Sequence, residues 1–237
     1  MKTSKSCLVF FVVLAGMARP ATLDSAEVSH PLAEYLKARA AEFDDIPAER
    51  REWLNEIAAF ALSQREKGRP AKLIFICTHN SRRSQMAQVW ATIAAAQHGL
   101  DGIEVFSGGT EQTAFNPRAV AALVRAGVNV EQRSTVAQAD NPRYEVRFRG
   151  EDEPQILFSK VFDQPPNPDA EFAAVMTCSE ADKSCPKAPG AAVRIALHYD
   201  DPKLADGTQA EATTYDERCR EIARDMLFAF SKLAGDP

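Results

Sequence analysis

The segment 75-FICTHNSRRS-84 decides the fold that we predict for this chain of 237 residues. An apolar run at Leu73–Ile76 predicts a short buried strand, and the residues from Gln85 to Ala96 have the apolar spacing of a helix. The segment therefore predicts a strand, a tight loop and a helix in that order. Such a loop can direct several backbone N–H groups and the positive end of the helix dipole at one point, which makes it a candidate anion site.

The side chains of this loop favour an oxyanion as the ligand. We place Cys77 at the floor of the loop, where N–H groups and the helix dipole favour a thiolate nucleophile. Arg83 follows six positions later, and its planar guanidinium can bind two oxygens of a tetrahedral oxyanion. Asn80 suits a left-handed turn, and Ser84 can donate to the sulfur. The alternative is that Cys77 is a small buried hydrophobic residue.

Composition and charge narrow the classes of function. A hydrophobic fraction of 45% is enough for a buried core. A net charge of -5 gives no electrostatic case for binding nucleic acid. Beyond the N-terminal segment, no apolar run reaches the length of a membrane span. We expect a small anion or another protein as the partner, and we expect neither a cofactor nor a metal.

The N-terminus has the pattern of a secretory signal. Basic residues in Met1–Ser6 precede an apolar stretch at Cys7–Ala18, which ends in small residues suited to cleavage. An uncleaved membrane anchor is the alternative. We predict that residues 1–26 are a signal peptide and that the mature protein is exported to the periplasm. It would have no membrane contact after cleavage, and Cys7 would be removed.

Residues 27–70 predict an N-terminal helical extension. Two segments carry apolar residues at helical spacing, one around Leu36 and one that opens with Pro47 in its first turn. We expect both apolar stripes to pack on the main domain, and a dimer contact is the alternative. Gly68-Arg69-Pro70 marks the boundary with the main domain, which we assign to residues 71–237.

The main domain alternates strands and helices. After the Cys77 loop and its helix come a strand at 103–106, a helix at 116–127, strands at 172–176 and 193–197, and a helix at 213–233. This alternation predicts an α/β fold in which a parallel sheet is flanked by helices on both sides. Ligands of such sheets bind at the carboxyl ends of the strands, where Cys77 lies. Residues 143–162 predict a hairpin near the rim of that site.

Two further segments carry candidate functional residues. Cys178 and Cys185 are seven positions apart, or about 10 Å along a regular helix, so they can pair only if the segment is a loop or unwinds. A structural disulfide is the alternative, and the spacing is too wide for a usual zinc knuckle. Asp201, just before Pro202, follows a strand and is a candidate general acid. The alternative is that Asp201 is a solvated loop carboxylate without a catalytic role.

Together these segments resemble the low-molecular-weight protein tyrosine phosphatases. The loop Cys77–Ser84 is similar to the anion loop of that family, and Asp201-Pro202 stands where the family keeps its general acid. The segment from Met176 to Pro186 is similar to the redox segment of the thioredoxin-coupled arsenate reductases, which share the phosphatase fold. The resemblance covers residues 72–233 and does not extend to the N-terminal helices.

The resemblance implies a mechanism. Cys77 attacks the anion, Arg83 and the loop hold its oxygens, and Asp201 protonates the leaving oxygen. The oxyanion-binding residues of the loop are then Thr78, His79, Asn80, Ser81, Arg82 and Ser84. With a phosphate ester, water completes the reaction. With arsenate, Cys178 attacks Cys77 and Cys185 resolves that disulfide, after which a thioredoxin-like protein reduces the enzyme.

The sequence departs from the family pattern at three positions. His79 replaces a common loop glycine, Arg82 replaces a loop cysteine of these reductases, and Gln88 stands where cation-binding members have a glutamate. We rank an arsenate reductase first and a phosphatase acting on phosphotyrosine or other monoesters second. A non-catalytic oxyanion-binding or redox-sensing protein ranks third. An exported reductase would need a periplasmic thioredoxin-like donor.

Overall fold

The computed structural model describes residues 29–133, 139–148, 153–184 and 187–234. The strands in these ranges are β1 (Ala71–Cys77), β2 (Ile103–Gly109), β3 (Asn129–Arg133), β4 (Arg143–Arg147), β5 (Gln155–Leu157), β6 (Phe172–Met176) and β7 (Ala191–Ile195). The helices are α1 (His30–Ala40), α2 (Ala48–Glu66), α3 (Arg83–Gln97), α4 (Pro117–Arg125), α5 (Ser179–Ser184) and α6 (Glu211–Ser231), with 3₁₀ turns at Phe43–Asp45 and Pro202–Ala205. The predicted signal peptide and Cys185 lie outside the described residues.

The main sheet has four parallel strands in the order β2-β1-β6-β7. Ile76 of β1 lies opposite Gly108 of β2 and Met176 of β6. The carboxyl ends of β1 and β6 are therefore adjacent, and the residues that follow them meet at one edge of the sheet. The α/β fold predicted from the sequence is confirmed.

Alternate residues of β1 face two separate hydrophobic clusters, as the pleat of a strand requires. Leu73 and Phe75 belong to the larger cluster, which includes buried residues of α2, α3 and α6. Ile74 and Ile76 face the other side, where the smaller cluster contains Phe162 and a residue of the short helix α5. Both faces of the sheet are thus covered, which confirms the predicted layers.

The predicted N-terminal extension consists of α1 and α2, both of which pack on α6. Leu32 of α1 and Leu54 of α2 are fully buried in the larger cluster. Tyr35 of α1 stacks on Trp90 of α3, with ring centroids 5.3 Å apart. The extension therefore shares its core with the main domain. No helix of the described ranges has both the length and the apolar character needed to cross a membrane.

A second, antiparallel sheet has the order β3-β4-β5. The predicted hairpin is present, because β4 and β5 pair with Tyr144 opposite Leu157. Its return arm is shorter than predicted, however, since β5 ends at Leu157 and the chain then runs beside β2 through a bridge between Val161 and Gly109. The strand β3, whose residues are mostly exposed, was not predicted from the sequence. The arm carries Ser159 and Lys160 to the Cys77 loop.

Candidate active site

The Cys77 loop turns back on itself at Asn80. This residue has a φ of 45°, the left-handed conformation that the sequence predicted. Its side chain ties the loop to two neighbours: Nδ2 donates to Ser84 Oγ at 2.9 Å, and Oδ1 accepts from the backbone N–H of Lys160 at 3.0 Å. Gln85 Nε2 donates to the Asn80 carbonyl at 3.1 Å. The loop is thus fixed by side chains on both sides.

Cys77 is the last residue of β1 and is buried beneath the loop. Its Sγ lies 3.0 Å from Ser84 Oγ, in the second residue of α3. Because Ser84 Oγ already accepts from Asn80, its own hydrogen is available to the sulfur. Ser84 thus places a hydroxyl donor, carried by the first turn of α3, beside the sulfur. The predicted contact between Ser84 and the sulfur is present.

The end of β2 packs directly against the loop at Gly109. A Cβ atom at this position would lie 2.4 Å from the Glu111 carbonyl oxygen and 2.7 Å from both Asn80 N and the Thr78 carbonyl oxygen. Backbone atoms cannot move away as a flexible side chain can. The conformation of the loop therefore depends on a glycine here.

Arg83 and Asp201, which are 118 positions apart in the chain, meet at the mouth of the loop. Arg83 is buried; its Nη1 donates to the Tyr199 carbonyl at 2.9 Å, and its Nη2 donates to Asp201 Oδ2 at 2.8 Å. The other carboxylate oxygen of Asp201 accepts from Lys203 N at 3.0 Å and caps a 3₁₀ turn. Arg83 Nε is buried and has no hydrogen-bond partner among the described residues.

These residues line a cleft of about 870 Å³. The loop forms one wall with Thr78, Arg82 and Arg83, and Glu180 of α5 lies on the rim. A hydrogen bond from its own backbone N–H and, to a lesser extent, the charge of Arg83 lower the pKa of Glu180. Glu180 therefore stays ionised at neutral pH and limits the positive charge of the cleft.

Three side chains of the predicted oxyanion site already contact other groups of the protein. Arg82 Nε donates to the Tyr215 hydroxyl of α6 at 2.7 Å, and its Nη2 donates to Asp206 at 3.2 Å. Ser81 Oγ donates to the Ala114 carbonyl at 2.7 Å, and the half-exposed His79 lies 3.5 Å from Glu111. The side chains of Ser81 and Arg82 therefore already have protein hydrogen-bond partners, whereas His79 lines the cleft with a half-exposed side chain.

Cys178 follows β6, which pairs with β1, and its side chain is fully buried. Its Sγ lies 3.5 Å from Oγ1 of Thr78, the residue after Cys77. Cys77, Cys178 and Cys219 are free thiols. Cys219 is buried in α6, where it accepts from Trp90 Nε1 at 3.3 Å, and burial raises its pKa to about 12. Of these thiols, Cys178 is the one beside the nucleophile's loop.

Two residues of the hairpin arm, Ser159 and Lys160, support the loop and were not predicted from the sequence. Ser159 Oγ donates to the His79 carbonyl at 2.9 Å and accepts from Thr113 N at 2.8 Å. Lys160 is buried over the Phe158 ring, with Nζ 4.9 Å from the ring centroid. Burial lowers the pKa of Lys160 to about 8. A serine and a lysine in a hairpin arm carry no sequence signal of such a role.

Asp182 holds α5 against β7. Its carboxylate pairs with Arg194 and lies 3.2 Å from His198 Nε2.

The described ranges contain no group of three or more His, Cys, Asp or Glu side chains that could hold a metal ion.

A buried cysteine below an arginine-bearing loop at the edge of a parallel sheet defines a class of enzymes that attack oxyanions with a thiolate. Comparison with known proteins agrees, because the family model described as low molecular weight phosphotyrosine protein phosphatase matches residues 72–143. The chain belongs to the low molecular weight phosphotyrosine phosphatase superfamily and, within it, to the arsenate reductase branch. The resemblance stated from the sequence is confirmed.

Two curated relatives illustrate this membership. The chain is 30% identical over 161 residues to an arsenate reductase of Bacillus licheniformis, which covers 68% of this chain and 94% of the relative. It is 29% identical over 160 residues to an arsenate reductase of Bacillus subtilis, with the same coverage of 68% and 94%.

Two solved structures are also similar. A thioredoxin-dependent arsenate reductase of Corynebacterium glutamicum is 17% identical, with a TM-score of 0.36 and coverage of 82% of this chain and 94% of that one. A low molecular weight phosphotyrosine phosphatase of Vibrio cholerae is 15% identical, with a TM-score of 0.44 and coverage of 67% and 93%.

Proposed function

We propose that the protein is an arsenate reductase in which Cys77 is the nucleophile and Cys178 and Cys185 form a thiol relay. The position of Cys178 carries this proposal, because a buried free thiol lies 3.5 Å from the residue that follows the nucleophile. Ester hydrolysis needs a nucleophile, an anion-binding loop and a proton donor, but no second thiol. Reduction of arsenate needs two thiols to supply two electrons.

The first step forms a bond between sulfur and arsenic. Arg83 and the N–H groups of the loop bind the oxygens of arsenate, and the Cys77 thiolate attacks the arsenic atom. One As–O bond breaks, and the leaving oxygen takes a proton from Asp201 and departs as water. A bound oxyanion competes with Asp201 for Arg83, and this competition frees the carboxyl group to face the leaving oxygen.

The second step transfers the electrons. The Cys178 thiolate attacks Cys77 Sγ, the S–As bond breaks, and its electron pair stays on arsenic, which leaves as arsenite. The two thiols are thereby oxidised to a disulfide. The Cys185 thiolate then attacks Cys178 Sγ and releases the Cys77 thiolate, and a thioredoxin-like dithiol reduces the remaining Cys178–Cys185 disulfide.

This relay requires α5 to unwind, since α5 spans Ser179–Ser184 between the two cysteines in the chain, and residues seven positions apart along a regular helix are about 10 Å apart. The helix is only six residues long, and Ala181 is its one buried residue. Short segments with little buried apolar surface unfold locally at low cost. Unwinding must also break the contacts of Asp182 with Arg194 and His198.

A phosphatase acting on phosphate monoesters is the second candidate. The pairing of Arg83 with Asp201 at 2.8 Å favours it, because this pair provides an anion ligand and a proton donor at one edge of the nucleophile's loop. In that reaction, Asp201 protonates the alcohol that leaves, and water hydrolyses the phosphocysteine.

One experiment separates the two candidates. Arsenite release with arsenate and a thioredoxin system is measured beside hydrolysis of p-nitrophenyl phosphate, for the wild type, Cys77→Ser, Cys178→Ser and Cys219→Ala. We expect Cys77→Ser to lose both activities, Cys178→Ser to lose only arsenite release, and the buried control Cys219→Ala to keep both. Ester hydrolysis by the wild type without arsenite release would exclude the reductase and support the phosphatase.

We also propose that the protein is exported, with residues 1–26 as a cleaved signal peptide. The basic start and the apolar stretch Cys7–Ala18 support this proposal. The reductant would then be a thioredoxin-like protein outside the cytoplasm. A dedicated donor is needed there because disulfides persist in oxidising compartments. Cell fractionation with N-terminal sequencing of the mature protein tests it. An intact N-terminus in the cytoplasmic fraction would contradict it.

A further inference from the structure

The chain from His198 to Asp201 has no regular secondary structure, yet among the described residues it supplies both hydrogen-bond partners of the Arg83 guanidinium. These partners are the Tyr199 carbonyl and the Asp201 carboxylate. A strand or helix would fix them through its own hydrogen bonds, but here contacts with other elements must do so. One such contact is with the residue that follows β6, since Tyr199 N donates to the Thr177 carbonyl at 3.1 Å.

A second contact comes from the N-terminal extension, through Arg50 of α2. Its Nη1 donates to the His198 carbonyl at 2.9 Å, and its guanidinium carbon lies 4.3 Å from the centroid of the Tyr199 ring. Arg50 therefore holds the segment at two consecutive residues, by a charge-assisted hydrogen bond and by a cation–π contact. The Tyr199 ring is buried, which strengthens both contacts by excluding water.

Arg50 is itself fixed in place by Asp225 of α6. Arg50 Nε donates to Asp225 Oδ2 at 2.6 Å, and the Asp225 side chain has no solvent exposure. The opposite oxygen of Asp225 accepts from Arg224 at 3.0 Å. The guanidinium thus spans Asp225, His198 and Tyr199 at once. An ammonium group has neither the planar fork nor the reach to make all three contacts.

We infer that the N-terminal extension is part of the catalytic unit, and that Arg50 is a positioning residue for Arg83 and Asp201. The inference rests on the site of the proposed function, but it concerns a segment outside the family match, which begins at residue 72. Arg50 does not touch the substrate. It acts through the His198–Asp201 segment, which orients the anion ligand and the proton donor.

The test compares Arg50→Met and Arg50→Lys with the control Arg224→Met. Arg224 also pairs with Asp225, but within the described ranges its hydrogen bonds and ion pairs do not reach His198–Asp201. The control therefore loses a comparable ion pair without loosening that segment. Inorganic phosphate binding is measured by calorimetry, together with kcat and KM for arsenate and for p-nitrophenyl phosphate, well below the unfolding temperature of each variant.

We expect Arg50→Met to bind phosphate about tenfold more weakly and to lose about 10- to 100-fold in kcat/KM, as small misplacements of catalytic groups do. Arg50→Lys should lie between Arg50→Met and the wild type, and Arg224→Met should stay within about twofold of the wild type. Equal losses in Arg50→Met and Arg224→Met would overturn the inference. If Arg50→Met does not fold, wild-type phosphate affinity and kcat/KM in Arg50→Lys would overturn it.

Phosphate binding separates this inference from the proposed reaction. A wild type that binds phosphate but releases no arsenite, with weaker binding in both Arg50 variants, would support the positioning role and reject the reductase. Arsenite release that is unaffected in both Arg50 variants would support the reductase and reject the positioning role of Arg50.

Discussion

The Sγ atom of Cys178 lies 3.5 Å from Oγ1 of Thr78, although 100 positions separate the two residues in the chain. The parallel pairing of β1 with β6 brings them together, because each follows the carboxyl end of its strand. The Thr78 hydroxyl group is thus a polar neighbour of the second thiol on the side of the nucleophile's loop.

We expect Thr78→Val to slow arsenite release about 3- to 10-fold, because it removes a hydroxyl group that can donate to the Cys178 thiolate. Ester hydrolysis does not use Cys178 and should change less than twofold, within the usual scatter of such substitutions. Thr92→Val, on α3 away from the loop, is the matched control. Equal losses in the two activities would show that Thr78 acts on the loop as a whole.

Asp201→Asn should lower kcat for phenyl phosphate at least about 100-fold, because an amide cannot donate the proton that the leaving oxygen needs. The loss should be smaller for p-nitrophenyl phosphate, whose leaving group needs less protonation. Phosphate should bind at least as tightly, since Arg83 loses a charged competitor. Asp200→Asn is the control, because the Asp200 side chain is 94% exposed. Similar kinetics for both variants would refute the acid role of Asp201.

Gly109→Ala should reduce phosphate affinity and kcat/KM at least about tenfold, since the new Cβ would come within 2.4 Å of a backbone oxygen and displace the loop. Gly68→Ala is the control. Its φ of 67° makes the substitution strained by about 1 kcal/mol, but nothing lies within 4 Å of the added carbon. We expect this control to lose stability and keep activity. Calorimetry with phosphate and urea unfolding distinguish the two effects.

Lys160 should contribute a rise in the free energy of unfolding with pH between about 8 and the normal lysine range, whereas Cys219, whose pKa burial raises to about 12, contributes in the opposite direction in the upper part of this interval. Burial lowers the pKa of Lys160 from 10.5 to about 8, so in this interval the unfolded chain holds a proton on Lys160 that the folded chain has lost. The full rise is at most about 3 kcal/mol. Lys160→Met should abolish this rise, whereas Lys37→Met, at an exposed position, should keep it. Urea unfolding under reducing conditions at several pH values measures the difference.

The local features of the site follow from the sequence, because they depend on neighbouring residues. Asn80 in a left-handed turn, Ser84 beside the Cys77 sulfur and a helix that begins at the loop all need only the segment 75–84. The order of strands and helices is likewise readable from the apolar spacing. These elements fix the fold class and the position of the nucleophile.

The long-range contacts do not follow from the sequence, because they depend on how distant segments align. Arg50 occupies an ordinary polar position of an amphipathic helix, and nothing near it in the chain indicates Tyr199 as a partner. Lys160 is buried, whereas lysine is almost always exposed. The strand β3 was missed because four of its five residues are exposed, which leaves no apolar alternation to read.

The stacking of Tyr35 on Trp90 makes Trp90 an intrinsic fluorescence probe of the contact between α1 and α3. Trp90 is fully buried on α3 and donates to Cys219, and it is one of only two tryptophans in the chain. Its emission therefore depends on whether α1 covers it, and a red shift would follow if the extension separated from the main domain. Detachment of α1 can thus be followed by fluorescence in the unlabelled enzyme.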